Sequence, residues 1–462
     1  MTSPGRQRLN AQTLGQAQAR PLPDYDRTAP PVIAHLGVGA FARAHLAVYA
    51  DELLRRGQPG LISGVSLRSP RAQDQLDPQD GLFTVAVREP GEDPVLQVVG
   101  ALACVKTGPV AALEAMTAPT TRLVTLTITE KGYEGADEGL APGALPSSAP
   151  ALIALALHRR RQVGLDPPIF ASLDNLLDNG NILRSRVLDE ADRIDPMLSA
   201  WIARDVRFPS SVVDRMVPAP TERELEEIAD ALGLRDEAAV AAERHRSWVI
   251  RSVDGLAPLS EVGVELVDDV APFERRKLWL LNGPHSAVAY AGLLAGYDTI
   301  AGAVADPTIA RFVRDLVSDT LEVAEFPAAL RPEAFADDVL HRFANPALGH
   351  TCAQVGADGS SKLPQRLLPV VAARRVRSLR TTRFAVVAAI WLAAASGVDV
   401  RGARLPRLED PMATDLRAAA AAPNGLQRLS RVALGDTVFA AEVASMLERV
   451  TTEGLSPLKA ER

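Results

Sequence analysis

The stretch KLWLLNGPH, residues 277–285, brings an amine, a carboxamide and an imidazole close together in sequence. Lysine is scarce: the 50 cationic residues include Lys106, Lys131, Lys277, Lys362 and Lys459 as the only lysines. Arginine stays protonated in proteins, whereas an amine gives up its proton on burial or beside like charge, so a base at this position has to be lysine. Arg275 and Arg276 before Lys277 and the leucines after it both favour a neutral amine. On an ideal helix of about 100° per residue, position 285 lies about 80° and position 282 about 140° round from 277, so the three side chains reach one broad face. Lys277 as general base, Asn282 as neutral donor to a developing alkoxide and His285 as orienter of a hydroxyl would suit alcohol oxidation. The plain structural alternative is a solvated lysine at a helix start, with Asn282 and His285 satisfying local backbone. Gly283-Pro284 predicts a kink or restart at 284, because proline lacks an N–H and disfavours helix before it.

A second chemical signal lies near the start. VIAHLGVGAF places Gly37, Val38 and Gly39 at the end of a predicted strand, with Ala40 and Phe41 opening a helix and Ala42 in the third slot of a G-x-G-x-x-A pattern. Such a turn lets the backbone approach a pyrophosphate closely. A tight strand-to-helix turn is the competing reading, and the position after the first strand of the first βα unit favours the nucleotide. The next strand ends in Leu67-Arg68-Ser69-Pro70-Arg71 without the acid that grips the ribose of NAD. The expected cofactor is NAD, with NADP the alternative through Arg68.

The elements that must position these groups follow from hydrophobic patterning. Short apolar runs alternate with amphipathic stretches: VIAHL, FARAHLAVYADELLRR, LISGVSL, LVTLTIT, ALIALALHRRR, IFASLDN, NILRSRVLDEADRI. This is the pattern of a doubly wound α/β domain. Residues 83–102 predict an antiparallel hairpin grafted on that sheet. WVIRSV (248–253) and VELVDDV (264–270) are the last strand candidates, and beyond Pro272 the pattern is helical. The expected division is 1–271 as the nucleotide domain, residues 1–30 being a loose polar lead-in, and 272–462 as a mostly helical catalytic domain. AAAAAP near 418–423 reads as a helix end.

Bulk properties agree with an enzyme of two domains: 462 residues, 47% hydrophobic and 23% charged, net charge −7. No apolar run spans a bilayer, no secretion signal opens the chain, and the acidic balance argues against nucleic acid, so the expected location is cytoplasmic. Arg159-Arg160-Arg161 reads as a solvated helix face. Cys104 and Cys352 read as buried small hydrophobes, and with seven histidines they form no zinc-spaced cluster, so no metal is expected. No tyrosine precedes a lysine by four residues, which disfavours a Tyr-Lys dehydrogenase. Oligomeric state stays open between monomer and small homo-oligomer.

K-x4-N-x2-H at 277–285 resembles the signature of the mannitol dehydrogenase family, the zinc-independent long-chain polyol dehydrogenases and fructuronate reductases. HLGVGAFARAH (35–45), LTITEKGYE (126–134), SLDNLLDNG (172–180), FPSSVVDRMVPAPTE (208–222) and DGSSKLPQR (358–366) resemble its segments in the same order. The resemblance implies a Rossmann-type N-terminal domain carrying NAD and a mostly α-helical C-terminal domain. It implies Lys277 as base, Asn175 and Asn282 as oxyanion donors, His285 as substrate orienter and Glu274 as proton relay. It further implies Asp214 and Lys362 in substrate binding, with Gln354 where polyol-type members carry arginine. Pro284 replaces a common serine, and Arg251-Ser252 replaces an acidic pair. The implied reaction interconverts mannitol with fructose or mannonate with fructuronate. The alternatives are a mannitol 1-phosphate dehydrogenase, for which Lys362 and Arg366 offer cations, and a non-catalytic NADH sensor.

Overall fold

The computed structural model describes residues 5–128, 130–133, 145–396, 408–420 and 437–459. The chain forms two compact units, Met1–Ala271 and Pro272–Arg462.

In the first unit, β1 (Ile33–Leu36) and β2 (Ile62–Ser66) belong to a five-stranded sheet, whereas β3 (Phe83–Val87) and β4 (Val95–Val99) form a hairpin elsewhere. β5 (Leu102–Thr107), β6 (Leu123–Leu126) and β7 (Ile169–Ser172) complete the five-stranded sheet, whose order is β5-β2-β1-β6-β7 with every neighbour parallel. Register puts Ile33 beside Ile62 and Leu123, and Ala34 beside Val124. The first set joins one buried cluster with Leu53, Trp248 and Leu256; the second joins another with Leu152, Leu183 and Phe208. Both faces of the sheet are therefore covered, which is why its strands read as unbroken apolar runs. The chain leaves β1 between β2 and β6, where the strand order reverses and a crevice opens beyond the carboxyl ends.

Four details depart from expectation. The 83–102 hairpin is antiparallel as predicted, but it pairs with β9 (Val240–Ala242) in its own three-stranded sheet, not with the central one. A third sheet contains β8 (Ser211–Asp214), β10 (Ser247–Arg251) and β11 (Glu265–Val267). The lead-in is docked, not loose: Leu9 is fully buried, and the Leu9 N–H donates to the Arg235 carbonyl at 2.9 Å. Tyr25 donates to the carboxylate of buried Asp51, and Arg27 Nε donates to the Gly100 carbonyl at 2.8 Å. In the arginine run Arg159 and Arg161 are exposed as expected, but Arg160 is not. Arg160 is 3% exposed and donates to the carbonyls of Met116, Ala118, Thr121 and Asp166, clipping two chain crossings together. Cys352 is buried as expected, but Cys104 is partly exposed on an edge strand.

In the second unit every described element is a helix, apart from one isolated β-bridge between Thr299 and Thr351. Helix Gly283–Ala295 is apolar on every side, and twelve of its residues, Gly283 to Leu294, are buried, which makes it a central core helix. Around it pack Pro307–Leu321, Cys352–Gly356, Gly359–Val376 and Thr382–Ser396. The close approach is specific: a Cβ on Gly292 would stand 2.7 Å from Cys352 Sγ and 2.8 Å from Ala303 Cβ. No described helix is long and apolar enough to cross a membrane. The end of the AAAAAP stretch lies outside the described residues.

Candidate active site

Helix Ala271–Lys277 runs into a π-helical turn, Leu278–Asn282, and the chain resumes as α-helix at Gly283. The Gly283 N–H bonds to the Leu278 carbonyl, an i→i+5 link. Proline at 284 has no N–H to give, so the widened turn just before it accommodates the missing α-helical bond. This alters the geometry of the signature. Five residues now complete the turn that four complete in an α-helix, so Lys277 and Asn282, five apart, come onto one side. His285, three further along regular helix, follows on that side. The straight-helix expectation of a broad face spanning about 140° is corrected to a narrow row by the π turn. Single π turns concentrate at functional sites.

The row is braced from helix Gly359–Val376. Arg366 is 7% exposed and donates from Nη1 to the Asn282 carbonyl at 3.1 Å and to Ser286 Oγ at 2.6 Å. His285 is stacked on Phe343 with ring centroids 4.5 Å apart, and His350 meets its ring edge-on at 5.2 Å. Burial holds His350 down to a pKa of about 4, so this second imidazole is neutral at physiological pH. Arg276 points away from the row: its guanidinium lies over Phe335 and donates to the Leu330 carbonyl at 2.6 Å. Glu274 is buried one helical turn before Lys277.

Other sequence-derived candidates have visible structural duties. Lys362 donates to the Ala357 carbonyl at 2.7 Å and lies 3.8 Å from Asp358. Gln354 is exposed and completes a capping box with Thr351. In the first unit, Asp214 ends β8, buried, with His245 Nε2 at 3.4 Å. Asn175 is exposed on the turn after β7. That turn is anchored on both flanks: Tyr133 donates to Asp174 Oδ2 at 2.9 Å, and Asn179 bonds to the carbonyls of Asp174 and Ser211 and to the Ser211 N–H.

The glycine turn is built for close approach. Gly37 has φ +103, and a Cβ there would lie 2.1 Å from the Thr127 carbonyl oxygen, so no other residue fits. Thr127 donates its hydroxyl to the Gly37 carbonyl at 2.6 Å, and His35 Nε2 lies 3.0 Å from the same oxygen. Gly37, Val38, Gly39 and Ala40 line a cavity of about 550 Å³, whose opposite lining includes Arg68 and Ser69. Phe41 stacks on His45 at 4.9 Å instead of lining the cavity. The helix expected over residues 41–56 is interrupted at His45, leaving Ala40–Ala44 and Leu46–Arg55. Arg43, which sequence reasoning did not single out, lines the cavity from the short first segment and is anchored to the Ala238 carbonyl at 2.5 Å. Its signal was its place four residues after Gly39. Among the described residues no group of three His, Cys, Asp or Glu side chains is placed to hold a metal.

Comparison with known proteins then decides the family. The mannitol dehydrogenase Rossmann domain matches residues 31–259, and the mannitol dehydrogenase C-terminal domain matches residues 269–453. This chain belongs to the mannitol dehydrogenase family. It is 36% identical to the D-mannonate oxidoreductase of Escherichia coli, over 91% of each chain. It is 32% identical to the mannitol 2-dehydrogenase of Phaeosphaeria nodorum, over 98% of this chain and 85% of that one. In structure it resembles Pseudomonas fluorescens mannitol 2-dehydrogenase in ternary complex with NAD and D-mannitol, with TM-score 0.88 and 30% identity, over 98% of this chain and 99% of that one. The family's two domains account for both units, the doubly wound parallel sheet and the helical C-terminal part.

Proposed function

We propose that this member of the mannitol dehydrogenase family is a nicotinamide-dependent oxidoreductase that interconverts a secondary alcohol of a linear polyol or sugar acid with its ketone. The observation that carries the reading is the π turn Leu278–Asn282, whose i→i+5 spacing supports Lys277, Asn282 and His285 sharing one side of the helix. The Gly37 cradle, in which any Cβ would strike Thr127, fits the pyrophosphate of NAD. When bound, the nicotinamide ring supplies the hydride acceptor or donor.

In the oxidative direction Lys277 Nζ takes the hydroxyl proton as the carbinol C–H is lost as hydride, leaving a C=O group. Asn282 and Asn175 donate to the oxygen while it carries alkoxide charge. His285, its plane fixed by Phe343, orients the substrate hydroxyl. Glu274, one turn before the lysine, passes the proton on to solvent. Gly37, Val38, Gly39, Ala40 and Arg68 hold the nucleotide, with Phe41 packed behind them. Asp214, Gln354 and Lys362 are proposed substrate contacts. We place the activity in the cytoplasm.

Within this reading a sugar acid is favoured over mannitol, because Gln354 caps its own helix where polyol-type members carry arginine. The phosphorylated-sugar alternative draws no support from Arg366, which is buried and engaged with the Asn282 carbonyl and Ser286 Oγ. The test is a panel of polyols, aldonates and phosphorylated hexitols assayed with each nicotinamide cofactor in both directions. Turnover confined to aldonates and their keto acids supports the sugar-acid form. Absence of alcohol-dependent nicotinamide reduction with every substrate would leave the NADH-sensor reading.

A further inference from the structure

A second imidazole stands beside His285. The His350 ring meets it at a centroid distance of 5.2 Å and an interplanar angle of 71°. The backbone that carries His350 is held from several directions. The Ile300 N–H donates to the His350 carbonyl at 2.9 Å, Gly349 before it takes the left-handed conformation at φ +60, and Thr351 after it opens the capping box with Gln354. The ring is thus delivered to His285 by a segment with little freedom of its own.

Its two nitrogens differ. Nδ1 is shut off from solvent and has no partner among the described residues. Nε2 is not enclosed in this way, and no described group bonds to it. A neutral imidazole carries one proton, and a buried N–H without an acceptor is rarer than a lone pair without a donor. That assigns the proton to Nε2, a donor with no described acceptor in the protein. The ring stays neutral, because burial alone lowers its pKa to about 4 and no described carboxylate opposes the effect. A protein acid at this place would hold the ring protonated and repel an anionic ligand.

A neutral donor matches best a ligand group that only accepts. A hydroxyl both donates and accepts and makes a neutral bond, whereas a carboxylate only accepts and makes bonds about twice as strong. With His285 on the substrate hydroxyl, the ring beside it reaches a part of the substrate beyond the carbinol. A linear sugar acid carries its carboxylate at the chain end.

We infer that His350 is a specificity-determining residue, whose Nε2–H donates to the carboxylate of a linear sugar-acid substrate while His285 orients the hydroxyl. The inference rests on the oxidoreductase reading above and deepens it by assigning the residue that reads the acid.

Steady-state kinetics of the full chain at saturating nicotinamide cofactor compares hexonates, mannonate first among them, with the corresponding hexitols, for the unaltered protein, His350→Leu and His350→Gln. In His350→Leu the KM for the hexonate should rise about tenfold or more while kcat changes by less than about threefold, and the hexitol KM should rise much less. His350→Gln keeps a neutral N–H donor and should recover most of the hexonate KM. Leucine also removes the unpartnered Nδ1, so the thermal midpoint should not fall. If that variant fails to fold, His350→Phe takes its place with the same expectations. An unchanged hexonate KM in a folded apolar variant, an equal rise for both substrate classes, a fall in kcat alone, or no recovery with glutamine would overturn the inference. Turnover of hexitols without hexonates also overturns it and leaves the oxidoreductase reading standing. Where hexonates alone are turned over, the KM rise and its recovery decide. If the unaltered protein turns over neither class, both fail.

Discussion

Arg366 Nη1 lies 3.1 Å from the carbonyl oxygen of Asn282, and the same nitrogen reaches Ser286 Oγ at 2.6 Å. One guanidinium thus holds both sides of the Gly283-Pro284 step, where the π turn ends and regular helix resumes. Replacing Arg366 with Met keeps its length and removes these donors. The expected cost is about 2–4 kcal/mol, because a buried polar bond is lost and the Asn282 carbonyl is left without this donor. Urea unfolding reads the stability. A parallel fall in kcat for the alcohol shows whether Asn282 has moved out of line.

Gly37→Ala should remove nucleotide binding. A Cβ 2.1 Å from the Thr127 carbonyl forces the turn apart, at a residue whose φ of +103 already disfavours any side chain. The loss should appear as absent NADH fluorescence enhancement, with far-ultraviolet circular dichroism close to that of the unaltered chain. The neighbouring Gly39 has open space where its Cβ would go, so Gly39→Ala should be much milder.

Acid should destabilise the fold well before its carboxylates are neutralised. Burial holds His35 at about 4, His45 at about 3 and His350 at about 4, whereas an unfolded histidine titrates near 6.5. Between these values the unfolded chain binds protons that the folded one refuses, so stability is lost as pH falls from about 6.5 toward 4. Each histidine contributes a slope approaching about 1.4 kcal/mol per pH unit in that window. Buried Asp236 has its pKa raised and acts with the opposite sign, one group against three. Urea midpoints at pH 7.5, 6 and 5 should fall in that order, and a midpoint that is flat or rises toward pH 5 would contradict the assignment.

Arg160 offers a test of structure alone, because its donors go to backbone carbonyls. Its five donor contacts to backbone carbonyls use the planar fork of a guanidinium. Arg160→Lys should therefore cost nearly as much as Arg160→Met, about 3 kcal/mol or more, since an ammonium cannot span the same carbonyls. Nucleotide affinity of the surviving folded fraction should not change.

Much of this architecture is readable in the residue order because its signals are local. The runs VIAHL, LVTLTIT and IFASLDN are strands since both sheet faces are covered, and the Gly37 turn follows from its place after β1. Short strands such as Val240–Ala242 escape, because three residues carry no period. Docking of the lead-in escapes for another reason: Leu9 and Tyr25 are held by Arg235, Gly100 and Asp51, all remote in sequence. The signature Lys277, Asn282 and His285 was visible as residue types, but its alignment was not. Counting about 100° per residue assumes a regular helix, and only the observed i→i+5 bond to Leu278 brings Asn282 round to the lysine. Arg366 was legible as a cation and not as a brace, since nothing in DGSSKLPQR announces that it will be buried against Asn282.

The central claim is that Lys277 removes the substrate proton, and the most direct measurement is the single-turnover rate of nicotinamide reduction by Lys277→Met across pH 6 to 10, with cofactor binding measured alongside. The account predicts retained cofactor affinity, a rate lowered by about a hundredfold or more, and loss of the rising limb of the pH profile that the unaltered enzyme shows. A variant that binds cofactor and keeps both the rate and the pH dependence of the parent would contradict it.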